Sequence, residues 1–129
     1  MRSRATSRKS ERETEALRAW RQALPEETEL VTSELAQLEI TRTLLRADID
    51  HQRVPYITGQ ALRGVYLVDL TSTVLARAVA YRTPQLGSLG AIHLASADPF
   101  RTELTEFVTY DQELTKAATD FGLPVARPA

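Results

Sequence analysis

Glu39 and Asp111 are the carboxylates of this chain whose placement suits chemistry. In open α/β sheets, function collects where the carboxyl ends of strands meet loops and helix N-termini. Asp111 stands two residues beyond Thr109, the expected end of a strand. Glu39 stands about a turn and a half into a helix that follows the apolar run at Leu30. A third such place is Gly90, in the first turn of a helix that Ser88 could cap, and it carries no side chain. Carboxylates gathered at one point repel each other unless a cation neutralises them, and a hard divalent ion takes oxygen ligands. Each acid also has a structural use. Glu39 precedes Arg42 by three residues and could pair with it along a helix surface. Asp111 could open the last helix, where a carboxylate meets the positive end of the dipole. His93 reads as a structural hydrogen-bonder near the core. Asp48 and Asp50 beside His51 read as a solvated helix end.

The elements that must position these residues follow from periodicity and punctuation. Leu17, Trp20 and Leu24 predict a helix over Glu13 to Leu24, ended by Pro25. Leu30 to Thr32 is a short β-branched run that suits a strand. Ser33 then caps a helix from Glu34 to about Arg46. Pro55 and Gly59 punctuate Asp48 to Thr58, giving a bent or broken helix that runs to Arg63. Val65 to Leu70 predicts a strand, followed by a helix capped near Thr71 or Ser72 that stops before Pro84. The next helix, capped by Ser88, bends or ends at Asp98-Pro99, with helical structure resuming through Phe100 and Leu104. Phe107 to Thr109 predicts a strand, Gln112 to Phe121 a helix closed by Gly122, and Leu123 to Val125 a last strand. Strands alternating with helices imply an α/β domain with a parallel sheet.

Composition sets the outer bounds. The 129 residues and 43% hydrophobic content suit one small domain with a single core. Sixteen basic against seventeen acidic side chains argue against a partner held by bulk charge. The chain has no cysteine, which excludes disulfides and thiol chemistry. No apolar run approaches the roughly 20 residues needed to span a bilayer. The start, M-R-S-R-A-T-S-R-K-S, lacks the apolar stretch of a secretory signal, so a cytoplasmic protein is expected.

Three spaced motifs carry a family resemblance: T-S-E-L-A-Q-L-E over Thr32 to Glu39, L-G-S-L-G-A-I-H-L-A over Leu86 to Ala95, and F-V-T-Y-D over Phe107 to Asp111. Together they resemble PIN domains of the VapC type, the toxins of bacterial VapBC toxin–antitoxin pairs. The likeness covers about Glu11 to Ala129. It implies a three-layer α/β fold and a Mg²⁺-dependent endoribonuclease (Mn²⁺ serving as an alternative ion). It also implies a VapB-like antitoxin that inserts into the active-site groove, an RNA substrate and a homodimer. Such domains use four acids, of which Glu39 matches the helix glutamate and Asp111 the last aspartate. Both are thereby implied as catalytic residues and metal ligands. Thr109 fits the pattern as well.

Two of the four positions depart from that pattern. Gly90 stands where S-L-D-A-I-H carries its aspartate. Met1 to Ser10 offers neither an apolar strand nor an acid to match the first, central strand of the family. Asp98 cannot substitute at position 90, since eight helical residues carry it about 12 Å along the axis. His93, one turn away, matches a histidine common in the family itself, and imidazole is a poor ligand for Mg²⁺. The chain is thus expected to be an N-terminally truncated, impaired toxin, with residues 1–12 a disordered basic segment and 13–129 the PIN-like domain. An upstream reading frame encoding the lost strand would account for such a start. A missing central strand is expected to leave unpaired backbone groups and a monomer prone to associate. Two alternatives stand beside this reading. One is a non-catalytic remnant that binds an antitoxin or dimerises with an intact relative. The other is an RNA-binding module using Arg2, Arg4, Arg8, Lys9 and Arg12.

Overall fold

The computed structural model describes residues 4–129, with side chains from Arg12 onward. Of the segment 1–12 expected to be disordered, residues 1–3 lie outside the described residues and the backbone of 4–12 is helical, while the RNA-binding alternative rests on side chains that, before Arg12, lie outside the described ones. The chain forms two compact units, one of residues 29–101 and one built from both terminal stretches. Among the described residues no helix is long and apolar enough to cross a membrane.

In the 29–101 unit, strand β1 (Leu30–Ser33) pairs in parallel with β2 (Val65–Val68), Leu30 opposite Val65 and Ser33 opposite Val68. Two parallel strands need a crossover, which α2 (Leu35–Arg46) and α3 (Val54–Ala61) supply. Helix α2 ends in a left-handed residue, Asp48 at φ 60°. The Asp48 N–H donates to the Leu45 carbonyl and the Ile49 N–H to that of Leu44, so two end carbonyls are satisfied without a glycine. Asp50 accepts from the Gln52 N–H at 3.0 Å. The acids around His51 thus terminate and turn the chain at an exposed helix end, as expected.

Helix α4 (Ser72–Ala80) begins at Thr71, whose hydroxyl accepts from the Val74 N–H at 3.2 Å. Helix α5 (Ser88–Ala97) packs against both α4 and β1 and supplies most of this unit's core. Ala91, Leu94, Ala95 and Ser96 are buried, and Val74 and Val54 join them. Its far end is tied to α4 by Arg77, which donates from Nη1 to the Ala95 carbonyl at 3.0 Å and pairs with Asp98 at 3.5 Å. Burial, and then the Asp98 carboxylate, push the Tyr81 hydroxyl above its usual pKa, against the opposing pull of Arg77 and Arg101.

The other unit contains α1 (Arg4–Ala23), β3 (Phe107–Val108), α6 (Gln112–Asp120) and β4 (Val125–Ala126). Strands β3 and β4 are again parallel, Phe107 opposite Val125. Leu114, Ala117, Ala118 and Leu123 are buried. Trp20 donates from its indole to Glu106 at 2.6 Å, and the Tyr110 hydroxyl donates to the Pro128 carbonyl at 2.6 Å. Partial burial, and then the Glu13 carboxylate, raise the Tyr110 pKa, with Arg127 opposing.

Both strand pairs are parallel, as the alternating pattern required, and no described strand joins the two pairs into one sheet. Several boundaries differ from expectation for identifiable reasons. Helix α1 starts at Arg4 rather than Glu13. Ser33 is the buried last residue of β1, its hydroxyl accepting from the Leu35 N–H at 3.2 Å, so Glu34 takes the cap position of α2. Gly87 rather than Ser88 caps α5, Ser88 being already helical. Beyond Ala97 only a short 3₁₀ turn, Asp98–Phe100, follows, and helical structure does not resume toward Leu104. The last strand starts at Val125 rather than Leu123 because the Leu123 N–H is used to close α6. It donates to the Ala118 carbonyl while Gly122, at φ 81°, donates to Thr119.

Leu94 is 1% exposed. Its replacement by alanine is expected to lower the unfolding free energy by about 2–5 kcal/mol through lost transfer and a residual cavity, read from urea denaturation.

Candidate active site

Glu39 lies in the second turn of α2 and His93 in the middle of α5. The packing of α5 on β1, and the short link from β1 into α2, bring them together. His93 Nε2 and Glu39 Oε1 are 2.5 Å apart, with the two side chains 22% and 36% exposed. An ionised carboxylate oxygen can only accept, so Nε2 carries the hydrogen and donates. A charge-assisted bond of this length in a half-buried setting is stronger than an ordinary surface pair. Glu39 therefore turns to α5 rather than along its own helix to Arg42. The structural part expected of His93 is correct, but its partner is an expected site residue.

Gly90 precedes His93 by one helical turn, which places both on one side of α5. A carboxylate at 90 would stand one helical turn from the ring that meets Glu39. With hydrogen there instead, the imidazole N–H is the one positive pole offered to Glu39 in this unit by the described contacts.

Glu34 was not identified from sequence. Its Oε1 accepts from the Leu70 N–H at 2.6 Å, while its own N–H donates to the Val68 carbonyl at 2.9 Å. These bonds clamp the carboxyl ends of β1 and β2 together, where the loop into α4 begins. The only local signal is an acid directly after a strand, which many surface positions share.

Asp111, in the other unit, caps α6. Its Oδ1 accepts from the Leu114 N–H at 2.9 Å, and its own N–H donates to the Thr109 hydroxyl at 3.1 Å. The side chain is exposed, and capping engages a single oxygen, so the cap and a ligand role are compatible. Thr109 and Asp111 thus brace each other at the end of β3.

A divalent ion of the Mg²⁺ kind requires several oxygen donors at one point. Among the described residues, no group of three or more His, Cys, Asp or Glu side chains is arranged to hold a metal ion. Position 90 supplies no donor, and one oxygen of Glu39 is engaged by His93.

Comparison with known proteins agrees with the motifs. The family model described as PIN domain matches residues 4–120. The chain is 37% identical over 122 residues to ribonuclease VapC47 of Mycobacterium tuberculosis, covering 92% of this chain and 87% of that protein. It is 35% identical over 120 residues to ribonuclease VapC35 of the same species, covering 90% and 84%. Ribonuclease VapC46 is 31% identical over 99 residues, covering 77% and 74%. No solved structure matches the chain.

The cap separates two roles of Asp111 by choice of variant. Asp111→Ala is expected to cost about 0.5–2 kcal/mol of stability, whereas Asp111→Asn, which still accepts from Leu114, stays within a few tenths. Thermal unfolding of both proteins checks this.

Proposed function

The chain belongs to the PIN domain family, as a VapC-type member of it, and on that premise we propose that it is a toxin whose ribonuclease centre is impaired. Gly90 carries this reading. In the family pattern an aspartate at that point would face the same cation as Glu39, and hydrolysis of a phosphodiester depends on the cation to activate water and offset phosphate charge. Glu39 and Asp111 are the two family acids that remain, and both have structural partners of their own, His93 and the first turn of α6. Two carboxylates hold Mg²⁺ or Mn²⁺ only weakly when further oxygen ligands are missing.

The relatives are named as ribonucleases, and RNA is accordingly the substrate class of this proposal. A VapB-like antitoxin is its partner, homodimerisation its assembly, and the cytoplasm its location. The second reading is a non-catalytic remnant that still binds an antitoxin or pairs with an intact relative. It is favoured by large apolar side chains left open on the 29–101 unit, with Val79 80% and Tyr56 71% exposed, which a protein partner could cover.

RNA cleavage with added Mg²⁺ or Mn²⁺ tests the proposal. The unaltered chain is expected to cleave no faster than Glu39→Gln or Asp111→Asn. Metal-dependent cleavage that both changes abolish would show the centre to be intact. Retention of an antitoxin from the neighbouring reading frame on co-expression, without cleavage, supports the second reading.

A further inference from the structure

We propose that the free edge of β1 is a docking site for an extended, uncharged segment of a protein partner, which adds to the sheet as a third strand. Successive residues of a strand turn their N–H and C=O groups to opposite edges. The Glu34 N–H donates to the Val68 carbonyl, so Thr32 and Leu30 before it also face β2. Val31 and Ser33 therefore face away. Among the described residues, no hydrogen bond reaches the backbone N–H or C=O of either one. Ser33 is nevertheless 1% exposed, so water does not serve its backbone groups. Native folds rarely leave a buried donor and acceptor without partners. A strand laid along this edge would supply both.

Free edges are ordinarily guarded by lysine, proline or a bulge. β1 reads L-V-T-S and carries no such guard, and β2, V-Y-L-V, is equally uncharged. A two-stranded sheet is also marginal by itself, and a third strand makes it robust. The far edge of β2 is less open, because the Val65 N–H there already donates to the Leu62 carbonyl. In the other unit β3 offers a shorter edge, since Phe107 and Thr109 both turn to β4 and leave Val108 facing outward. Burial selects the occupant. Leu30, Val31 and Thr32 are partly exposed while Ser33 is enclosed, so the edge is entered from its Leu30 end. A slender extended segment can reach Ser33 by that route. The β1 edge of a second folded copy, whose own Ser33 is enclosed, cannot. A charged side chain beside Ser33 would lose its water without gaining a partner, which restricts the segment there to apolar and β-branched residues.

The probe is a fluorescein-labelled peptide of the β2 sequence, R-G-V-Y-L-V-D-L from Arg63 to Leu70, a strand that β1 already accepts on its other edge. Its charges lie near the ends, clear of the residues that would pair. Fluorescence anisotropy follows its binding to the full chain as wild type, V31P and L67P. Proline at 31 removes an outward N–H and leaves the bonds to β2 in place, and L67P does the same at the far edge of β2. Wild type and L67P are expected to bind, and V31P at least about tenfold more weakly. In wild type the Val31 amide is expected to exchange its hydrogen at least about tenfold more slowly at saturating peptide. That measurement needs no variant, so it decides the matter even if V31P does not fold. No binding by wild type, equal binding by V31P, or an unchanged Val31 exchange rate overturns the proposal. Binding lost in L67P but kept in V31P places the peptide on β2 and overturns it too. So does a dimer of the peptide-free chain that V31P dissociates in sedimentation, since the edge would then belong to a second copy. RNA cleavage bears on the impaired-toxin reading alone.

Discussion

The arrangement of the 29–101 unit depends on the burial of α5. Its sequence, S-L-G-A-I-H-L-A-S-A, has apolar or small residues on almost every side, which fits a helix enclosed by its neighbours rather than one with a wet face. Ala91, Ala95 and Ser96 are small enough for close approach to β1 and α4, and Leu94 fills the space between. Ser96 disposes of its hydroxyl by donating back to the Ile92 carbonyl at 2.8 Å, so the buried polar atom costs little. With α5 so placed, the His93 ring meets Glu39 of α2.

Placing an imidazole beside a glutamate answers an electrostatic problem created by the fold itself. A carboxylate held half-buried between helices loses water, and the loss must be offset by a donor or a cation. A cation does this where a second carboxylate shares it. Here the described donor is the His93 N–H. Family membership, shown by the match over residues 4–120, thus speaks to architecture more directly than to chemistry.

Polar clamps at the strand ends serve the same economy. The Glu34 carboxylate takes up the Leu70 N–H just past β2, and Thr71 and Asp111 take up helix N–H groups at the start of α4 and α6. Each satisfies a backbone donor that the end of a regular element leaves unpaired. The loops so defined are those on which site residues stand, and Asp111 is itself one of the clamps.

What the sequence determined by itself is the local structure. The cap at Thr71, the cap at Asp111, the glycine closure at Gly122 and the parallel character of the strands all follow from neighbours a few residues apart. So does the identity of the family, because its three motifs are contiguous strings. Local rules erred where two local solutions compete, as at Ser33 and Ser88, where the neighbouring residue takes the cap, and at Leu123, whose N–H serves the helix rather than a strand. The tertiary structure alone decided that Glu39 meets His93, 54 residues away, rather than Arg42, and that Glu34 meets Leu70, 36 residues away. A side chain's partner across such a distance is set by which helix packs on which strand. That depends on the buried volume of α5 as a whole and on no spacing visible along the chain.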